Sequence, residues 1–199
     1  MVNKLQTARG LALSTLGEIF QDGAFSNIAL KKALGKATLS EVDKSLVTEI
    51  VYGTVSRKLT LEWYLSHFVA DRDQVDPWIY HLLLMSLYQF VYLEKIPPHA
   101  VVHVELAKQR KKGSEKYVNA LLRKMLREGL PSIDQIKRVN KRLSIRYSLP
   151  VWLVKKLLDE YGEKRAIAIF ESLYVRNKAS VRVVDLDQKE DIKEQLQAA

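Results

Sequence analysis

From Trp78 to Leu93 the chain reads WIYHLLLMSLYQFVYL, apolar on every side of a helix and free of charged side chains. Such a helix is stable only when other elements surround it, so the rest of the fold must wrap around this stretch. Two residues write its start: the Asp76 carboxylate accepts bonds from free backbone N–H groups, and Pro77 suits the first helical position. The run is shorter than the roughly 20 residues that cross a bilayer, and it holds His81 and Gln89. It reads as a core helix, and no membrane association is expected.

Helical periodicity recurs on both sides of it. Lys4 to Phe20 places Leu5, Ala8, Ala12, Leu16 and Ile19 on one face and ends before Asp22 and Gly23; it reads as an amphipathic helix rather than a signal peptide. A short helix from Ile28 to Lys36 follows the candidate caps Ser26 and Asn27. Ser40 caps a third, with Asp43 in the position of a capping-box partner and Val42, Leu46, Ile50 and Val51 as the buried stripe. Gly53 to Lys58 reads as a kink, after which Leu59, Leu61, Trp63, Tyr64, Leu65 and Phe68 continue in helical style.

Ile96, Pro97 and Pro98 break the central helix, and another begins near His99. Gly113 and Ser114 separate that one from a helix ending near Glu128. Gly129, Leu130, Pro131 and Ser132 are the best linker in the chain and divide residues 1–130 from residues 131–199. Beyond it the pattern predicts helices over Ile133–Arg146, Pro150–Tyr161, Glu163–Leu173 and Asp187–Gln197, with Ala179 to Val184 as one short strand. The expected class is all-α: a helical bundle followed by a smaller, mainly helical segment.

Charge is unevenly placed. Residues 1–104 hold ten basic and ten acidic side chains, residues 105–156 fifteen and four, and residues 157–199 seven and nine, so the net +9 originates in the middle. Lys108, Arg110, Lys111 and Lys112 crowd the end of one helix. Lys116, Arg123, Lys124 and Arg127 lie on the next, away from its apolar stripe of Tyr117, Val118, Leu121, Leu122, Met125 and Leu126. A second cluster, Lys137, Arg138, Lys141, Arg142 and Arg146, repeats at i+1, i+4 and i+5 without Glu partners. One basic run is ordinarily a solvated face; two adjoining clusters on packed helices point to a polyanion such as nucleic acid. Tyr117 or Tyr147 would stack on an unpaired base if exposed, although tyrosines in a bundle are more often packing residues.

Other chemistries find little support. The chain has no cysteine, which excludes a disulfide or thiolate site within it and fits a reducing compartment, with cytoplasm the expected location. His99 and His103 stand at i and i+4, but no third ligand and no HExxH pattern accompany them. Neither G-x-G, nor a Walker sequence, nor G-x-S-x-G occurs, and no acid pair suggests an active site. No catalytic, cofactor-binding or metal-binding residue is therefore assigned.

Two regions resemble a known family. Ala8-Arg9 opening the first helix, His99-Ala100-Val101-Val102 leading into Glu105-Leu106-Ala107-Lys108, and Tyr117 through Lys124 (YVNALLRK) resemble the NusB-like RNA-binding domain. Arg146 through Leu153 (RYSLPVWL), Glu160-Tyr161-Gly162 and Ser180-Val181-Arg182-Val183 resemble the segment that follows that domain in the RsmB (Sun/Fmu) group. Val184 departs from the Asn usual after the Arg-Val pair, and Leu149 from the His usual between Ser and Pro.

The resemblance implies the N-terminal part of an S-adenosylmethionine-dependent enzyme making 5-methylcytosine in 16S ribosomal RNA. It also implies that cofactor and catalysis belong to a C-terminal domain absent from this chain. In that reading the two cation clusters hold RNA for the chain's own catalytic domain. The alternatives are a stand-alone NusB-type antitermination factor and a helical scaffold that meets an acidic protein.

Overall fold

A computed structural model describes residues 7–93, 106–108, 113–175, 184 and 189–198. Among them the architecture is all-α, with no strand. The first five helices are α1 (Ala8–Phe20), α2 (Ser26–Lys36), α3 (Glu41–Ser56), α4 (Lys58–Ser66) and α5 (Pro77–Tyr92). They are followed by α6 (Ser114–Glu128), a 3-10 turn (Ile133–Gln135), α7 (Val139–Arg146), α8 (Val151–Ser172) and α9 (Lys189–Ala198). The strand read over Ala179 to Val184, apart from the exposed Val184, lies outside the described residues, as do His99 and His103.

Helix α5 occupies the centre, as its composition requires. Its residues from Ile79 through Gln89 are all buried, and α1, α3, α4 and α6 pack against it. The Asp76 carboxylate accepts from the N–H groups of Trp78 at 2.9 Å and Ile79 at 3.3 Å, closing the helix start that the sequence announces.

Several boundaries differ from the sequence expectation. Helix α1 begins at Ala8 because Thr7 is extended and its Oγ1 accepts from Gly10 N–H, making Thr7 the cap. Helix α2 begins at Ser26, with Phe25 preceding it and no side-chain cap. Val42, expected in the buried stripe of α3, is 80% exposed; the stripe is formed by Val47, Ile50, Val51 and Thr54. The break expected between Gly53 and Lys58 is present and falls at Arg57, while Gly53 itself is helical and serves packing.

The predicted helix over Ile133–Arg146 is divided. Ser132 Oγ accepts from Asp134 N–H to form a short 3-10 turn, then Ile136 and Arg138 are extended before α7 begins. Helix α8 bends at Gly162, whose φ of 72° and ψ of 165° are open mainly to glycine, so the pair of helices read on either side of it is present.

The buried residues form two clusters. The larger surrounds α5; the smaller consists of Leu143, Val154, Ala166 and Phe170, with Tyr147, Leu149, Leu157, Leu158 and Ile167 partly buried around it. Four buried side chains make a meagre core, and this one leans on the first. Leu59 N–H donates to Ser148 Oγ at 3.0 Å, Thr60 Oγ1 donates to the Ile145 carbonyl, and the Arg57 guanidinium lies over both Tyr92 (4.8 Å to the ring centre) and Tyr174 (3.2 Å). Helix α4 is thereby the strut that joins the two parts.

Candidate nucleic-acid interface

Helix α6 owes its position to Val118, Leu121, Leu122 and Met125, all buried against the larger cluster. Lys116, Arg123 and Arg127 are spaced seven and four residues apart, which at 3.6 residues per turn aligns them within about 40° on the opposite side. All three are exposed, and Lys124 flanks them. The apolar stripe thus fixes the direction of the cations: burying one face presents the other.

Not all of these charges are equally available. The Glu128 carboxylate lies 3.1 Å from Arg127 and 4.0 Å from Lys124, and Lys124 Nζ also stands 5.9 Å from the centre of the Phe68 ring. These are solvent-facing pairs, worth little and readily exchanged for another anion. Lys116 and Arg123 make no ion pair among the described residues. Lys108 is exposed on the short helical stretch 106–108, whereas Arg110, Lys111 and Lys112 lie outside the described residues.

The second cluster is reshaped by the break in its predicted helix. Lys137 precedes α7 and Arg138 is its cap residue, so the five cations do not share one continuous helical face. Arg146 turns back to an ion pair with Asp134, and half-buried Arg142 donates from Nη1 to the Ile136 carbonyl at 3.3 Å. No Glu pairs with these cations among the described residues, but Asp134 takes Arg146, and Arg142 and Arg146 fasten the turn. Lys137, Arg138 and Lys141 remain exposed without an ion pair among the described residues.

The two candidate stacking residues also separate. Tyr147 packs on Phe170 with ring centres 5.4 Å apart, and its hydroxyl donates to Glu171 at 3.4 Å, so it belongs to the smaller core. Tyr117 is 41% exposed, and partial burial pushes its phenol up from the ordinary range.

Two clefts flank α4. One of about 770 Å³ lies between the segment after α4 and the start of α6; Phe68, Ile79 and Tyr117 line it, but so do Asp71 and Asp76, which oppose a polyanion. The other, of about 820 Å³, lies where Leu59 at the start of α4 meets α7 and the start of α8. Arg138 and Lys141 line it and, among the described residues, no acidic residue does. Sequence reading missed this cleft, since its walls come from segments about eighty residues apart; the only local sign was the basic run itself.

Comparison with known proteins places these features in a family. Residues 6–127 match the NusB family. The "Probable ribosomal RNA small subunit methyltransferase B" of Bacillus subtilis (strain 168) is 41% identical over 183 residues, 90% of this chain and 41% of that protein. The protein of the same name from Synechocystis sp. (strain ATCC 27184 / PCC 6803 / Kazusa) is 34% identical over 79% of this chain and 36% of its own length. Ribosomal RNA small subunit methyltransferase B of Escherichia coli O1:K1 / APEC is 26% identical over 82% of this chain and 37% of its own. The chain thus spans about two-fifths of the length of these relatives.

In fold, the crystal structure titled PH0851 superposes with a TM-score of 0.66 at 19% identity, covering 96% of this chain and 44% of that one. The match extends through α7 and α8, so both parts of the chain share an architecture already seen in a larger protein. With the family match over residues 6–127 and an all-α bundle among the described residues of that range, the chain belongs to the NusB family.

Proposed function

We propose that this chain is the RNA-recognition region of an S-adenosylmethionine-dependent 16S ribosomal RNA cytosine-C5 methyltransferase of the cytoplasm, holding RNA for a catalytic domain elsewhere in the parent protein. The observation that carries the proposal is the alignment of Lys116, Arg123 and Arg127 on the face of α6 opposite its buried stripe. A row of cations on a packed helix neutralises phosphates from a backbone that is already ordered, so that only its side chains lose freedom on binding. Lys108, Lys124, Lys137, Arg138 and Lys141 extend the cationic surface, while Arg142 and Arg146 act by holding its turn. Arg110, Lys111 and Lys112 belong to the same proposal on sequence grounds alone.

Similarity to the methyltransferases continues past the end of the NusB match, which favours this reading over a stand-alone antitermination factor. Among the described residues, the two clefts do not suit S-adenosylmethionine. Arg138 and Lys141 in one cleft repel its sulfonium, and the Asp76 carboxylate in the other is engaged by the start of α5. No step of methyl transfer is assigned to this chain.

Reversing Lys116 and Arg123 to Glu tests the proposal. Fluorescence anisotropy with a 16S ribosomal RNA fragment should show a loss of affinity of about tenfold or more at moderate salt. Reversing the exposed Lys31 and Lys36 of α2, an equal change of net charge on a helix packed on α1 and α3, should cost much less. Equal losses would reduce the effect to net charge and overturn the assigned face.

A further inference from the structure

The cleft between α4 and the α7–α8 corner combines three chemistries that a run of phosphates alone does not need. Its walls include Val139, Ile145 and Val151, Asn140 is a polar residue of its lining, and Arg138 and Lys141 supply positive charge. Val139 and Val151 are 43% and 48% exposed, and the neighbouring Trp152 is 67% exposed. Apolar side chains left open to water at one place mark a surface that another molecule covers.

We infer that this cleft receives an unpaired nucleotide of RNA: the base lies against the aliphatic walls, Asn140 meets its hydrogen-bonding edge, and Arg138 and Lys141 hold the flanking phosphates. The inference rests on the RNA-binding reading above and adds to it a place where single-stranded RNA is distinguished from duplex. Each part has a chemical reason. A base has an apolar face that aliphatic and aromatic surfaces shield from water, and an edge of donors and acceptors that a carboxamide matches. A volume of about 820 Å³ is ample for one nucleotide.

Charge selects among possible occupants. An apolar protein segment entering here would strip water from Arg138 and Lys141 without compensating them, since no carboxylate among the described residues lines the cleft. A nucleotide brings its own anions. The other cleft, with Asp71 and Asp76 in its lining, lacks this complementarity.

The test compares binding of an oligouridylate decamer with that of an abasic ribose-phosphate decamer of equal charge, by fluorescence anisotropy. The unmodified chain should bind the oligouridylate at least about tenfold more tightly, because only that probe supplies a base. Val139→Glu, at a site open enough to fold, and the charge-neutral Asn140→Ala should both shrink the preference, Val139→Glu to within about twofold. Equal affinity of the unmodified chain for the two probes would overturn the nucleotide site while leaving the phosphate surface standing. So would retention of the full preference by both variants, the result expected if the cleft instead receives a protein segment. Failure of both probes to bind would overturn the RNA-binding reading and this inference with it.

Discussion

The Tyr88 ring occupies the space in which a side chain at Gly53 would stand. A Cβ built on Gly53 would lie 1.9 Å from Tyr88 Cζ and 2.0 Å from its hydroxyl oxygen. Glycine ordinarily weakens a helix interior by about 1 kcal/mol relative to alanine, yet here it lets α3 and α5 approach closely enough for the Tyr88 hydroxyl to donate to Glu49 at 2.5 Å. Burial, then the Glu49 carboxylate, push this phenol well above the ordinary tyrosine range, so it remains a donor.

Gly53→Ala should therefore destabilise the chain by about 2 kcal/mol, against the helix propensity of alanine, because the ring must leave its rotamer and its Glu49 bond. Chemical denaturation of Gly53→Ala, Tyr88→Leu and the double variant measures the coupling. The second substitution should cost markedly less in the presence of the first, and additive losses would contradict the packing relation.

The joint between the two cores predicts a different behaviour. Arg57 lies between Tyr92 and Tyr174, and the Tyr174 hydroxyl donates to the Tyr147 carbonyl. Arg57→Lys keeps the charge but loses the planar stacking group, so it should behave nearly as badly as Arg57→Ala. Both should expose the Gly129–Ser132 connection to limited proteolysis faster than in the unmodified chain, with far-ultraviolet circular dichroism almost unchanged. Unaltered cleavage rates would show that α4 alone carries the joint.

His81 sets an acid limit. It is 6% exposed, tilted against Phe20 with ring centres 5.3 Å apart, and its Nδ1 has no hydrogen-bond partner among the described residues. Burial, helped by Lys58 and Arg72 and opposed by Asp76, lowers its pKa to about 4. The unfolded chain takes up this proton near pH 6.5 and the folded one only near 4. The stability associated with neutral His81 is thus whole above 6.5 and falls as pH drops through that window. The loss should be on the order of 3 kcal/mol by pH 4. His81→Gln, whatever its cost at neutral pH, should flatten that part of the stability curve relative to the unmodified chain. An unchanged slope would assign the effect to other groups.

Local chemistry made much of this fold legible, and distant partners hid the remainder. Asp76 and Pro77 sit beside the N–H groups they serve, and the stripe of α6 repeats within one helix, so both could be read directly. The kink read over Gly53 to Lys58 falls at Arg57, but the packing role of Gly53 stayed hidden because Tyr88, the residue that requires it, is thirty-five positions away. The predicted helix over Ile133–Arg146 failed for a similar reason: the turn that brings Arg146 to Asp134 is a tertiary arrangement, while periodicity registers only sequence spacing. The same turn removes Arg146 from the available cations and places Arg138 and Lys141 at a cleft whose far wall comes from α4.

The central claim is that a fixed row of cations on α6 neutralises RNA phosphates, and its most direct measurement is the salt dependence of binding. For single strands the slope of log affinity against log salt is about −0.7 per phosphate contact. Replacing Lys116, Arg123 and Arg127 together by Ala should make the slope of the full chain less steep by about 2, with helicity retained. A slope unchanged by that triple replacement would contradict the account.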